Sequence, residues 1–344
     1  MKKIYDYSRG WFENYFIDKG LAKFRAVQVF EALYRKKVNK FEEITNINKE
    51  VKQMLNEEFE FSSLELNTKL ESNDGTVKFL FSLEDGNLIE TVLMRHEYGN
   101  SVCVTSQVGC NMGCAFCASG MVKKIRNLSP SEMVSQVLYI DNYLNKFEER
   151  VSHVVIMGIG EPFDNYDNVM EFIKIINDDK GLAIGARHIT LSTCGLAPKI
   201  IEFSDFPLQV NLAISLHFAS DEKRNKYMPI NKKYNLGELF KSLEYYYKKT
   251  NRRITFEYIL LDGINDSLED AEKLVKLVRG VNAYINLIPY NNTGMFKRTS
   301  NNKRDAFFDY LNKNHINAIV RKEHGGDIDA ACGQLRVKKM KENN

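Results

Sequence analysis

From residue 101 onward the hydrophobic period of the sequence switches repeatedly, and this limits the chain to one class of architecture. Short β-rich runs (SVCVTSQ 101–107, SHVVIMG 152–158, RHITLST 187–193, VNLAISLH 210–217, ITFEYILL 254–261, YINLIPY 284–290 and NAIVRK 317–322) alternate with amphipathic helical stretches. The helical stretch SPSEMVSQVLYIDNYLNKF opens with Ser129 as N-cap, Pro130 in the first turn and Glu132 completing a capping box. Repeated strand–helix units build a parallel sheet, either doubly wound or curled into a full or partial barrel. In both arrangements functional residues gather at the C-terminal ends of the strands. Four sequence features fall there: GIGEP after one strand, Ser192-Thr193 at the end of the next, Ser215-Leu216-His217 at a third, and Asn291 after LIPY.

Upstream the texture differs. Residues 1–62 read as helices; in LAKFRAVQVFEALYRKK the apolar residues Phe24, Val27, Phe30 and Tyr34 recur at helical spacing and predict the buried face. The segment TKLESNDGTVKFLFSLEDGNLIETVLMRHEY places NDG and EDG turn signals between β-rich runs, which predicts a meander or hairpin pair. No short-period repeat or low-complexity linker interrupts the pattern.

The N-terminus carries no continuous apolar run or small-residue cleavage site, and no stretch has the apolar length of a membrane span, so a cytosolic location is expected. There thiols stay reduced, and clustered cysteines point to metal or catalysis rather than disulfides. The net charge of +3 neither requires nor excludes nucleic acid, and the basic runs MVKKIRNL and RVKKMKENN read singly as solvated surface.

Three of the six cysteines, Cys110, Cys114 and Cys117, lie in GCNMGCAFCASG as C-x3-C-x2-C, with no fourth nearby. A structural zinc site wants four closed ligands. An iron–sulfur cluster held by three thiolates keeps one iron open, where the amino and carboxylate groups of S-adenosylmethionine can bind. Spacing alone leaves both readings standing. Phe116, between the last two cysteines, can shield a cluster, and the glycines and Glu161 of GIGEP let backbone and carboxylate approach a cationic amino group. Cys194 reads as packing, and His96, His153, His188, His315 and His324 show no metal spacing.

CNMGCAFCASG resembles the cluster motif of radical S-adenosylmethionine (SAM) enzymes. With IETVLMRHEYGNSVCVTSQVGC, RNLSPSEMVSQV, VVIMGIGEPFDN, LAISLH, RNKYMPINKKY, LLDGINDS and GGDIDAACGQL, the chain resembles the RlmN/Cfr family of RNA adenine methyltransferases over nearly its whole length. The resemblance implies a partial (β/α)6 TIM-like radical SAM barrel with an N-terminal helical accessory domain. Its divisions would be an RNA-binding helical module 1–62, a β-hairpin connector 63–98, a core 99–335 and a basic tail 336–344. It implies a 4Fe–4S cluster on Cys110, Cys114 and Cys117, and a SAM pocket of Gly160, Glu161, Ser192, Ser215, Leu216, His217 and Asn291. Cys332 would become S-methylated, Cys103 would resolve the adduct through a transient disulfide with Cys332, and Glu90 would accept the ring proton.

Adenine C2 is electron-poor and its hydrogen is not acidic, so polar methyl transfer fails there and radical addition circumvents the problem. In the family scheme one SAM methylates Cys332. A second is cleaved to a 5′-deoxyadenosyl radical, which abstracts hydrogen from the S-methyl group, and the resulting methylene radical adds to the base. Attack of Cys103 on the sulfur of Cys332 then frees the product. The implied substrates are 23S rRNA at the peptidyl transferase centre and the tRNA anticodon arm. The implied electron donor is of the flavodoxin or ferredoxin kind, and the implied state is a monomer. Pro162 in GEPFDN favours C2 chemistry over the alternative, C8 methylation of 23S rRNA conferring antibiotic resistance. A rival from another class is a non-enzymatic RNA-binding protein with a metal knuckle.

Overall fold

The computed structural model describes residues 1–62, 64–291 and 295–328. Ten strands lie side by side in the order in which the chain makes them. β1 (Glu65–Glu71), β2 (Val77–Ser82), β3 (Leu88–His96) and β4 (Gly99–Cys103) form an antiparallel meander. From β4 the direction is constant through β5 (Val151–Ile156), β6 (Ile189–Thr193), β7 (Asn211–Ser215), β8 (Ile254–Leu260), β9 (Ala283–Pro289) and β10 (Asn317–Val320). Helices fill the crossovers: α4 (Pro130–Asn145), α5 (Tyr166–Asn177), α6 (Ala197–Phe203), α7 (Asp221–Tyr227), α8 (Leu236–Thr250), α9 (Leu268–Val278) and α10 (Asn301–Lys313). Six strand–helix units followed by β10 make the partial barrel that the resemblance implies. Residues 65–96 continue its sheet.

The expected strands are present, most of them shorter. The run 101–107 is the largest correction: β4 stops at Cys103, because the Thr105 N–H turns to Gln136 Oε1 of α4 (2.9 Å) and the Gly158 N–H bonds Val104 O (3.0 Å). Gln107–Val108 then pairs with Arg126–Asn127 as a separate ribbon. α4 begins with the expected capping box, the Glu132 N–H donating to Ser129 Oγ (3.2 Å) and the Ser129 N–H to Glu132 Oε2 (2.9 Å). Its Tyr139 and Tyr143 pack edge-on against Phe79 and Phe81 of β2. α5 buries Val169, Phe172, Ile173 and Ile176 on its sheet face, each contributing roughly 1.5–3 kcal/mol of apolar transfer.

The N-terminal helices α1 (Arg9–Asp18), α2 (Phe24–Tyr34) and α3 (Lys49–Glu58) share one continuous core with the barrel. Phe24 and Val27 do not join it. Phe24 is 55% exposed beneath the Arg25 guanidinium, and α2 buries Ala26, Val29, Phe30, Ala32, Leu33 and Tyr34 instead. As the first residue of α2, Phe24 lies before the stripe that meets the barrel begins. Polar contacts fix the module on α4 and α5. Asp6 accepts from the Ser131 N–H (2.8 Å), Glu171 accepts from the Ser8 N–H (3.0 Å), and Lys37 pairs with Asp141 (2.6 Å). No helix among the described residues is long and apolar enough to cross a membrane.

At the mouth of the barrel the β5 exit passes so close to β4 that Gly158 has no room for a Cβ, which would lie 2.7 Å from Thr105 N and Val104 O. Gly158→Ala is expected to cost on the order of 1–3 kcal/mol through overpacking, read as a lower urea midpoint at unchanged slope.

Candidate functional site

Beyond β4 the loop carrying the three cysteines is tied at several points. The Cys110 N–H donates to Val122 O (2.9 Å), the Cys117 N–H to Cys114 O (3.1 Å), and the Ala115 N–H to Tyr227 O at the end of α7 (2.9 Å). Gly109 has φ +80°, and a Cβ there would meet Lys123 O at 2.2 Å, so the approach of the two loop arms requires glycine. Cys114 and Cys117 pack against a small apolar cluster of Phe116, Phe218, Met228, Leu261 and Tyr290, separate from the main core. Burial pushes the Cys110 thiol up to about 12 and Cys114 higher still, and the charge of Cys117 also raises both. Among the described residues no three His, Cys, Asp or Glu side chains converge as they would around a single ion.

The strand-end residues surround this loop. Gly160 has φ +113° and would clash with Gln107 at 2.7 Å if it bore a Cβ. The Glu161 N–H donates to Gln107 Oε1 (2.8 Å), while its carboxylate accepts from the Phe163 N–H (3.0 Å) and the Cys194 N–H (2.8 Å). Burial raises the Glu161 carboxyl, against these hydrogen bonds. Ser192 Oγ and Ser215 Oγ face each other at 3.3 Å. His217, at φ +58°, accepts the Ile259 N–H on Nδ1 (3.1 Å), and burial lowers its imidazole to about 3. A neutral ring accepting on Nδ1 carries its proton on Nε2. That ring packs edge-on against Phe116 with centroids 4.8 Å apart, which ties the β7 exit to the cysteine loop.

A cavity of about 300 Å³ joins Glu90, Cys103, Cys117 and Asn291 with Met157, Arg321 and His324. Glu90 stands on β3, and its carboxylate pairs with the fully buried Lys78 of β2 at 2.9 Å. Cys103, the last residue of β4, presents its sulfur to the same space. Burial pushes this thiol up to about 11, against Arg321 and Lys78, which favour the thiolate. Gly160, Glu161, Ser192, Ser215, Leu216 and His217 do not line this cavity; His217 adjoins it through Phe116, which does. Cys332 lies outside the described residues, as does the tail 336–344.

Residues 104–278 match the Radical SAM superfamily, and residues 2–61 match the ribosomal RNA large subunit methyltransferase N-terminal domain. The chain is 56% identical over 329 residues to a Listeria welshimeri protein (94% of this chain, 90% of that one) and 53% identical over 345 residues to one from Streptococcus mutans (98% and 96%). Both bear the name "Probable dual-specificity RNA methyltransferase RlmN". The chain belongs to the RlmN family of radical SAM RNA methyltransferases. The crystal structure of a radical SAM methyltransferase from Sphaerobacter thermophilus, 39% identical, superposes with a TM-score of 0.91 over 97% of this chain and 99% of that one. Membership of this family implies SAM and an iron–sulfur cluster.

Within this RlmN-family site, sequence reading missed three side chains. Lys78 alternates with Val77 and Phe79 in what reads as a half-exposed hairpin strand, but β2 is buried on both faces. Arg224, in RNKYMPINKKY, is fully buried and reaches Cys194 O (2.6 Å), Leu216 O (3.3 Å) and Asn231 Oδ1 (2.8 Å), bracing two strand exits. Its only signal was an arginine inside an otherwise unexplained motif. Gln107 bridges Glu161, Asn127 and Asp164, and no pattern marked it.

Lys78→Met is expected to leave the buried Glu90 carboxylate without this cation and to cost about 3–5 kcal/mol, with much of the loss recovered in Lys78→Met/Glu90→Gln; urea denaturation of both measures it. Stability should also fall as pH drops from about 6.5 toward 4. The unfolded chain protonates His96 and His217 near 6.5, whereas the folded chain holds them near 4 and 3, so it binds fewer protons in that window. Thermal midpoints against pH should show this slope, flattened in His96→Phe.

Proposed function

We propose that the chain methylates C2 of an adenosine in 23S rRNA, at the peptidyl transferase centre, and in the tRNA anticodon arm. The observation that carries the reading is the meeting of Glu90, Cys103 and Cys117 in one cavity beside the SAM-site candidate Asn291. The names of the relatives, as dual-specificity RNA methyltransferases, support two RNA substrates and disfavour the C8 alternative.

The donor set fits the implied group. Three thiols on one short, tied loop, two of them raised by the charge of Cys117, supply the thiolate set that a 4Fe–4S cluster with one open iron requires. In this reading Cys110, Cys114 and Cys117 hold the cluster. Gly160, Glu161, Ser192, Ser215, Leu216, His217 and Asn291 line SAM. When bound, the cluster and SAM supply the 5′-deoxyadenosyl radical. Gly160 lets backbone approach the ligand, Glu161 is held still by two backbone donors, and His217 offers a single Nε2–H donor. Phe116 and its apolar neighbours exclude water.

The remaining work falls to the cavity. Cys332 carries the methyl group as a thioether, and the target adenine enters unstacked, at a cost of roughly a few kcal/mol that is least in loops. Glu90, fixed by Lys78, takes the ring proton. Cys103 must lose its own proton before it attacks the Cys332 sulfur, and Arg321 and Lys78 favour that loss. The attack forms the S–S bond as the C–S bond to the product breaks, and the electron pair left on the product carbon takes up a proton to complete the methyl group. The resulting Cys103–Cys332 disulfide needs a reductant before the next turnover. A cytoplasmic location, a monomeric state and a flavodoxin- or ferredoxin-like electron donor complete the proposal.

Anaerobically purified protein is expected to carry iron and sulfide near four each per chain, and one zinc instead would sink the reading. Cys332→Ala should keep the cluster and abolish methylation, while Cys103→Ala should trap a protein–RNA crosslink, visible as a band shift lost on RNase treatment. Free methylated RNA released by Cys103→Ala at the wild-type rate would refute its role. Mass spectrometry of 23S rRNA from cells with and without the gene should show 2-methyladenosine, and 8-methyladenosine would overturn the C2 assignment.

A further inference from the structure

Beyond β10, residues 321–324 form a strap that lines the cavity with Glu90 and Cys103. The strap is fixed at its root, where the Arg321 N–H donates to Leu287 O of β9 (2.9 Å). At its head the Arg321 guanidinium makes one ion pair among the described residues, with Nη1 lying 3.9 Å from Glu257 Oε2. Glu257 stands on β8, in register with Ser215 of β7 and Asn286 of β9. It does not line the cavity, although Ile259, two residues further and on the same face, does. Its Oε1 accepts from the Asn286 amide (2.8 Å), and its buried Oε2 receives no hydrogen bond.

A carboxylate taken out of water with one amide donor, and a cation too distant to hydrogen-bond, is a cost to the fold. An orphaned oxygen of this kind calls for a role. Ser215 and Asn286 beside it are neutral, so the charge on which Glu257 bears is Arg321. Arg321 in turn faces the opposite wall, and β5, β6 and β7 separate β4 from β8 in the sheet. The charges that bear on Cys103 are Arg321, Lys78 of β2 and Glu90 of β3. Glu90 lies 2.9 Å from Lys78 and opposes its field at the sulfur, which leaves Arg321 as the effective cation. The Arg321 side chain is 38% exposed, and a long stem with that much access to water takes many rotamers unless its head is held. We propose that Glu257 is a positioning residue, which holds the Arg321 guanidinium across the barrel facing Cys103, where the cation favours the thiolate. The purpose of this device rests on the reading of Cys103 as the resolving thiol; its geometry does not.

The test is alkylation of Cys103 by iodoacetamide in the cluster-loaded protein, kept anaerobic at mildly alkaline pH and followed by peptide mapping. The thiolate displaces iodide and forms a thioether, so the rate follows the thiolate fraction. Arg321→Met should slow the reaction about tenfold, the change that one nearby opposite charge commonly makes. Arg321→Lys, which opens the cavity as Met does but keeps the charge, should stay close to wild type, so the ratio of the two isolates charge from access. Glu257→Gln keeps the volume and decides the role. Were Glu257 only a negative charge near the sulfur, or only scaffold, its loss would speed the reaction or leave it unchanged. As the anchor of Arg321, its loss should slow the reaction about threefold or more, and should cost nothing further when added to Arg321→Met. Urea midpoints and cluster absorbance report whether each variant is folded and loaded. A Glu257→Gln rate at or above wild type, equal rates in Arg321→Met and Arg321→Lys, or a further loss in the double variant would overturn the anchoring. The resolving role is read separately, in the Cys103→Ala crosslink: its failure there would remove the purpose of the thiolate and leave these rates standing.

Discussion

Cys103 is hydrogen-bonded into the sheet between two neighbours of opposite sense, antiparallel to Val92 on β3 and parallel to Val155 on β5. The sheet changes from meander to parallel barrel at this strand, and its register decides what the cavity contains. Glu90, Val92 and Met94 alternate onto the cavity face of β3. A slip of one residue would turn Glu90 outward and bring Thr91, bonded to Gln136 of α4, inward. The register is held by Gln136, which accepts from Thr91 and Thr105 and donates to Thr105 O, so one buried amide fastens both strands. The proposed acid–base and thiol chemistry therefore depends on backbone pairing outside the cysteine loop.

How much of this was legible follows from what each signal measures. The change of period from 2 to 3.6 reports burial of one face at a time, and it located all seven parallel strands and the capped helix α4. It overran strand ends, because buried apolar residues such as Val104 and Leu216 continue past β4 and β7 into the exits. It misjudged Phe24, because helical spacing gives a stripe but not which stripe meets the barrel. The cysteine trio and GIGEP were legible because their chemistry demands local spacing. Lys78, Arg224 and Gln107 were not, since each acts through tertiary pairing that no local spacing records. Lys78 is hidden by two-sided burial, where alternation carries no information.

The histidines make the same point. None shows metal spacing in sequence, yet His324, His96, Tyr98, His153 and His188 pack ring against ring in one row from the strap after β10 to the edge of β6. Burial holds His96 and His153 below the usual imidazole range, so they pack as neutral aromatic rings. His324 lines the cavity with Glu90 and Cys103, and His188 stands just before β6, so the row links the mouth of the barrel to the end where β6 begins.

Buried charge gathers around the same cavity. Glu90, paired with Lys78, and Glu257, beside Asn286 (2.8 Å) and the cavity-lining Arg321 (3.9 Å), are carboxylates that the fold has taken out of water. Such groups add little net stability, because desolvation consumes most of the Coulomb gain. An apolar core of the same volume would hold the barrel at least as well. Apolar side chains would serve the sheet, but they could neither take a proton from a base nor favour the thiolate of Cys103. The polar interior is therefore better explained by the chemistry proposed for the cavity than by the needs of the fold.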